Sequence, residues 1–130
     1  MALLTTLILM FTFPAFAPAD RVIYIEQPEA INYYTPLIYA IGMVEGKCDT
    51  LAYNPLEEAT GYFQIRPIRL NDYNKRTGKT YTLEQMYDYE IAKKIFLYYT
   101  DGRSYELVAK SWNGSGPKTL EYWKLVKLNL

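Results

Sequence analysis

The chain has 130 residues, which is the usual length of one domain and too short for two. Its 14 basic residues equal its 14 acidic residues in number, so we expect no nucleic-acid partner, because such partners are bound by an excess of positive charge. The chain has no histidine and a single cysteine, Cys48. A histidine triad, an HExxH zinc site, an intrachain disulfide and a multi-cysteine metal site are therefore excluded, and we expect no metal and no cofactor.

The first 19 residues differ in composition from the rest, since all 28 charged residues lie from Asp20 onward. An uncharged apolar run that ends in Ala17-Pro18-Ala19 predicts a secretory signal cleaved before Asp20. No positive charge precedes the run, so an uncleaved membrane anchor is the alternative, although the run is shorter than the about 20 residues of a spanning helix. We therefore assign residues 1–19 to a signal peptide or anchor and 20–130 to one domain. The protein is expected to be exported, periplasmic or extracellular, and to touch a membrane only through residues 1–19 if they are retained.

The domain is predicted to be mostly α, with several short helices. Thr35-Pro36 predicts an N-cap followed by a first helical turn, and apolar residues then recur at helical spacing as far as Glu45-Gly46. A loop is expected from Gly46 to Gly61, a helix from Pro67 to about Tyr73 and a turn from Asn74 to Thr80. The other predicted elements are a capping box at Thr82 and Gln85, helix N-caps at Ser104 and Thr119, and one candidate strand at 21–26.

Three segments in this order carry the functional signal. Glu45 ends the first helix, Gly61-Tyr62-Phe63-Gln64 follows a loop and leads to Pro67, and Ser111-Trp112-Asn113-Gly114-Ser115-Gly116-Pro117 lies near the C-terminus. The order resembles the lytic transglycosylase (SLT domain) and goose-type lysozyme superfamily. Its members have a catalytic Glu at a helix end, a Gly-Leu-Met-Gln-like segment and an aromatic-Asn-Gly-Gly-Pro segment. Here Gly46 replaces the Ser that usually follows the Glu, and Tyr62-Phe63 replace Leu-Met.

The resemblance implies a small lysozyme-like domain with its helices around a sugar-binding cleft. It implies a monomer that cleaves the β-1,4 bond between N-acetylmuramic acid and N-acetylglucosamine in peptidoglycan glycan strands. Glu45 would be the catalytic acid and then the base. The residues expected to contact substrate are Gln64, Tyr62, Trp112, Asn113 and Gly114, and Tyr122 is a further candidate for the cleft wall because aromatic faces stack on sugar rings.

Elementary chemistry favours Glu45 independently. An acid that protonates a leaving oxygen near neutral pH needs a raised pKa. The apolar neighbours Ile41 and Val44 and the negative end of the helix dipole are expected to raise the pKa of Glu45. Each of these residues also has a structural alternative. Glu45 could be an ordinary acid at a helix end, Gln64 could cap the following turn, and Asn113 could hold a left-handed turn.

The residues do not show whether the nucleophile is a water molecule activated by a second acid or a hydroxyl of the sugar. The loop acids are Asp49, Glu57 and Glu58, of which Glu58 is our candidate for a second acid. In the transglycosylases that the sequence resembles, a hydroxyl of the sugar replaces the attacking water, so we favour a lytic transglycosylase that leaves 1,6-anhydro ends. The alternatives are a hydrolytic lysozyme or phage endolysin and a non-catalytic wall-binding or virion structural protein.

Overall fold

A computed structural model describes residues 32–130. The signal or anchor assigned to 1–19 and the strand predicted at 21–26 lie outside the described residues. Helical residues make up 57% of the described chain, which confirms the mostly α class. The elements are α1 (Thr35–Gly46), the hairpin strands β1 (Tyr53–Asn54) and β2 (Ala59–Thr60), α2 (Pro67–Thr77), a 3-10 turn (Glu84–Tyr87), α3 (Tyr89–Tyr98), α4 (Tyr105–Asn113) and α5 (Lys118–Lys127).

Helix α1 is buried along one side and ends just beyond Glu45. Its apolar residues Leu37, Ile38 and Ile41 are at most 4% exposed, so the predicted helical spacing does mark the core face. Thr35 is the first helical residue rather than the N-cap, because Tyr34 takes that position. Lys47 turns left-handed at the other end (φ 54°) and donates its N–H to a carbonyl of the last turn. The helix therefore stops where the sequence predicted.

The loop predicted between Gly46 and Gly61 contains a short antiparallel hairpin. Tyr53 pairs with Thr60 and Asn54 with Ala59, and two-residue strands are too short to leave an alternating pattern in the sequence. Thr60 and Ile65 exchange backbone hydrogen bonds of 3.0 Å, which close the intervening residues into a tight turn. Gly61 is required there: its φ is +77°, and a Cβ would lie 2.0 Å from the Met86 carbonyl oxygen.

Two predicted boundaries in the middle of the chain are wrong. Helix α2 continues through Thr77 to a left-handed Gly78, so the turn expected from Asn74 is largely helix. The Gln85 side chain accepts a 2.9 Å hydrogen bond from the Thr82 N–H, but this contact opens the 3-10 turn rather than α3. Helix α3 begins after Asp88, whose carboxylate accepts from two backbone N–H groups of the first turn.

The two C-terminal helices pack on each other, and α5 also packs on α1. Ser104 caps α4 as predicted, by accepting a hydrogen bond from the Leu107 N–H. Thr119 does not cap α5: the helix begins at Lys118, and the Thr119 hydroxyl instead donates to the Gly116 carbonyl at 2.7 Å. Pro117 supplies the preset φ that lets the helix start without a side-chain cap.

Aromatic rings fill the core beside α1. The rings of Phe63 and Phe96 stack with centroids 4.8 Å apart, and Trp112 meets Phe96 edge to face at 5.0 Å. The Trp112 indole N–H donates to the Phe63 carbonyl at 3.2 Å. This bond fixes the C-terminal end of α4 against the turn after β2. No helix between residues 32 and 130 has the length and apolarity needed to cross a membrane.

Candidate active site

Helix α1 delivers Glu45 to a pocket of about 170 Å³. The hairpin supplies one wall, the segment from the turn into α2 supplies the second, and the end of α4 supplies the third. The pocket is lined by Glu45, Asn54, Glu57, Ala59, Gln64, Arg66, Arg69, Trp112 and Asn113. All three segments that carried the sequence signal therefore contribute a side chain to one concave site.

The pKa of Glu45 is raised toward neutral pH. The pKa of its carboxyl is raised from the ordinary 4.5 to about 7, mainly by burial and to a smaller extent by the negative charge of Glu57. The hydrogen bond from Tyr122 and the positive charges of Arg66 and Arg69 act in the opposite direction. The rise predicted from the sequence is confirmed, and its main cause is loss of water around the carboxylate.

Tyr122 fixes the orientation of Glu45 from the other side. Its hydroxyl donates to Oε1 of Glu45 at 2.6 Å, across 77 residues of sequence. Burial and the adjacent carboxylate raise the pKa of Tyr122 well above its usual range, so the phenol remains a donor. The sequence suggested Tyr122 only as a cleft aromatic. The contact exists because α5 packs on α1, which no local pattern predicts.

Arg69 is a site residue that the sequence analysis missed. Its Nη2 donates to the Ser111 and Trp112 carbonyls at 3.2 and 3.1 Å. The guanidinium also lies over the Trp112 ring, 4.2 Å from its centroid, and 5.0 Å from that of Tyr99. These contacts hold a positive charge rigidly at the pocket wall and join α2 to the end of α4.

Of the three loop acids, only Glu57 reaches the pocket. Its Oε1 lies 3.7 Å from Nη1 of Arg66. Glu58, the candidate second acid, is exposed, has a left-handed backbone (φ 51°) and is absent from the lining. Asp49 is also outside it, and its carboxylate accepts from the Leu51 N–H at 2.8 Å. Adjacent residues of a hairpin turn face different ways, and the sequence does not say which one turns inward.

The residues expected to contact substrate divide into two groups. Gln64, Trp112 and Asn113 line the pocket with Glu45, whereas Tyr62 and Gly114 do not. The ring of Tyr62 is buried against Gly42, and its hydroxyl lies 3.3 Å from the Cys48 sulfur.

Gln64 lines the pocket, and its side chain bonds to residues that precede it rather than capping the following turn, as the alternative interpretation expected. Its Nε2 donates to the Ala52 and Gly61 carbonyls at 3.2 and 3.1 Å, and it also lines the pocket. These two bonds fix the side chain in place. A polar group of defined orientation is thus presented at the pocket.

Comparison with known proteins yields no relative: no family model, curated protein or solved structure matches this chain. Within residues 32–130, no group of three or more His, Cys, Asp or Glu side chains is arranged to hold a metal ion.

Proposed function

We propose that this protein is a peptidoglycan-cleaving enzyme with a lysozyme-like fold, most specifically a lytic transglycosylase. It would act outside the cytoplasm, as a monomer, on the β-1,4 bond between N-acetylmuramic acid and N-acetylglucosamine. The observation that carries the proposal is a half-buried helix-end carboxyl, Glu45, which opens on a polar pocket and has a pKa raised to about 7. The order of the three motifs supports the same substrate class.

In the proposed first step, protonated Glu45 donates its proton to the leaving glycosidic oxygen. Tyr122 donates to Oε1, so Oε2 would be the oxygen that carries the proton in this step. The bond from C1 of muramic acid to that oxygen breaks with oxocarbenium character at the sugar. The new carboxylate is stabilised by the Tyr122 hydroxyl and by the charges of Arg66 and Arg69, the three groups that favour its ionised form.

The second step completes the reaction without another acid. The 6-hydroxyl of the muramic acid attacks its own C1, and its proton passes to the Glu45 carboxylate, which restores the starting enzyme. The product is a 1,6-anhydro end. The nucleophile is already tethered to the reacting sugar, and such tethering can supply several kcal/mol of the barrier.

Hydrolysis is the second candidate, and the position of Glu57 is the observation that favours it. Glu57 lines the same pocket as Glu45, so its carboxylate could activate a water molecule. Its side chain is 55% exposed and is held in the described structure by one ion pair of 3.7 Å. A loosely held carboxylate is a poor fixed base, which is why we place transglycosylation first.

The test is a digestion of purified sacculi followed by mass spectrometry of the soluble products. We expect anhydro ends, which are one water lighter than hydrolysed ends, and we expect Glu45→Gln to reduce release at least 100-fold. Glu57→Gln should leave release within a few-fold, and Glu58→Gln, its exposed neighbour, is the matched control.

Each other result has a defined meaning. Hydrated ends whose formation is lost in Glu57→Gln would establish the hydrolase. Wall binding without any release by the wild type would refute both enzymes and establish a binding protein. Full release by Glu45→Gln would refute the assignment of the acid.

A further inference from the structure

The charges around the pocket do not balance. The lining contains the guanidinium groups of Arg66 and Arg69 and the carboxylates of Glu45 and Glu57. Because the pKa of Glu45 is about 7, this carboxyl is largely neutral in the resting enzyme below that pH. Two positive charges then face one negative charge in a volume of about 170 Å³. Such a pocket attracts an anionic group on the substrate.

The two arginines are held very differently. Arg69 is anchored by two carbonyls and two rings, so its role is to carry charge in a fixed place. The side chain of Arg66 is 35% exposed, and its closest charged partner in the described chain is Glu57 at 3.7 Å. That distance is too long for a charge-assisted hydrogen bond, which is normally 2.7 to 2.9 Å. The N–H groups of Arg66 therefore retain capacity for a better acceptor.

We propose that Arg66 is a specificity-determining residue that binds a carboxylate of the glycan substrate. That carboxylate would replace the Glu57 side chain as the partner of Arg66. This inference depends on the function proposed above and adds the chemical class that the pocket selects. Arginine suits the role because its planar fork matches the two oxygens of a carboxylate. Since Arg66 and Glu45 line one small pocket, the carboxylate must lie on, or be attached to, a sugar at or next to the cleaved bond.

Two carboxylates of peptidoglycan satisfy this chemistry. One is the lactyl carboxylate of muramic acid, which is free only where the stem peptide has been removed. The other is a carboxylate on the stem peptide itself. If Arg66 binds the lactyl carboxylate, the enzyme would act on glycan strands from which an amide hydrolysis has already removed the stem peptides. That hydrolysis is the reaction that frees the lactyl carboxylate.

The experiment measures binding to Glu45→Gln, which cannot turn the substrate over. The first probe is a stem-free tetrasaccharide of alternating N-acetylglucosamine and muramic acid with free lactyl carboxylates. The second is the same tetrasaccharide with every lactyl group converted to the methylamide, and the third carries the stem peptides. We expect the first or third probe to bind about tenfold more tightly than the methylamide, as one charge-assisted hydrogen bond at a part-exposed site allows.

In the Glu45→Gln background, Arg66→Gln should reduce the preference for the carboxylate probe over the methylamide to within twofold. Arg66→Lys should keep part of that preference. Glu57→Gln should increase the preference for the carboxylate probe, because it removes the protein carboxylate that competes for Arg66. Lys79→Gln, which removes one positive charge at an exposed position outside the pocket, is the matched control. Arg66 makes no side-chain hydrogen bond within residues 32–130, so its variants should retain the wild-type melting temperature.

The outcomes separate this inference from the proposed function. Dependence on Arg66 with the first probe identifies the lactyl group, and dependence with the third identifies the stem peptide. Equal binding of all three probes, or equal loss for all three in Arg66→Gln, refutes carboxylate recognition while leaving glycan cleavage intact. Failure of every probe to bind refutes the proposed function together with the inference.

Discussion

Replacing Glu45 by Gln should make the folded protein more stable at alkaline pH, although it abolishes the proposed activity. The folded state raises the pKa of this carboxyl from 4.5 to about 7. Folding therefore favours the protonated form, and the stability that the neutral carboxyl allows is fully present below pH 4.5. It is lost progressively as the pH rises from 4.5 through 7.

The size of the effect follows from the same two values. A difference of about 2.5 pH units corresponds to about 3 kcal/mol above pH 7, at about 1.36 kcal/mol per unit. Water that enters through the pocket makes this an upper limit. Gln carries no charge at any pH, and its Oε1 can still accept the hydrogen bond from Tyr122. The free energy of unfolding of the variant should therefore not decrease between pH 4.5 and 8 on account of this residue.

The assay is urea unfolding of wild type and variant between pH 4 and 9. The difference in unfolding free energy should be flat below pH 4.5, rise in favour of Glu45→Gln by up to about 3 kcal/mol, and level off above pH 8. Glu84→Gln, which removes an exposed carboxylate from the 3-10 turn, should follow the wild type. Parallel curves for wild type and Glu45→Gln would show that the carboxyl is not desolvated in the folded protein, and the acid assignment would lose its physical basis.

Three further substitutions test the surroundings of the site. Tyr122→Phe removes a contact that lowers the pKa of Glu45, so the alkaline limb of a sacculus-clearing pH profile should move to higher pH; an unmoved limb would contradict the contact. Gly42→Ala would place a Cβ 2.2 Å from the Tyr62 ring and should cost about 1–3 kcal/mol in urea unfolding, against almost nothing if the ring can move aside. Arg69→Met leaves two carbonyls at the end of α4 without their donor and should cost about 1–3 kcal/mol; an unchanged midpoint would show that this anchor is dispensable.

The sequence by itself determined the local elements and one chemical property. Helical spacing and Pro36 predicted α1 and its end at Gly46, and Ser104 marked the start of α4. These signals work because capping and periodicity involve residues within one or two turns of each other. The direction of the pKa shift of Glu45 was predictable from its place at a helix end beside apolar residues, whereas the burial that causes most of the shift comes from packing.

The tertiary structure alone decided what surrounds that carboxyl. Tyr122 reaches Glu45 because α5 packs on α1, and Arg69 reaches the end of α4 through carbonyls more than 40 residues away. The hairpin turns Glu57 into the pocket and leaves Glu58 outside it. Neighbouring acids look alike in a sequence, and a contact between distant helices leaves no periodic trace. Both depend on how the elements pack, which is settled by the burial of the whole core rather than by any one segment.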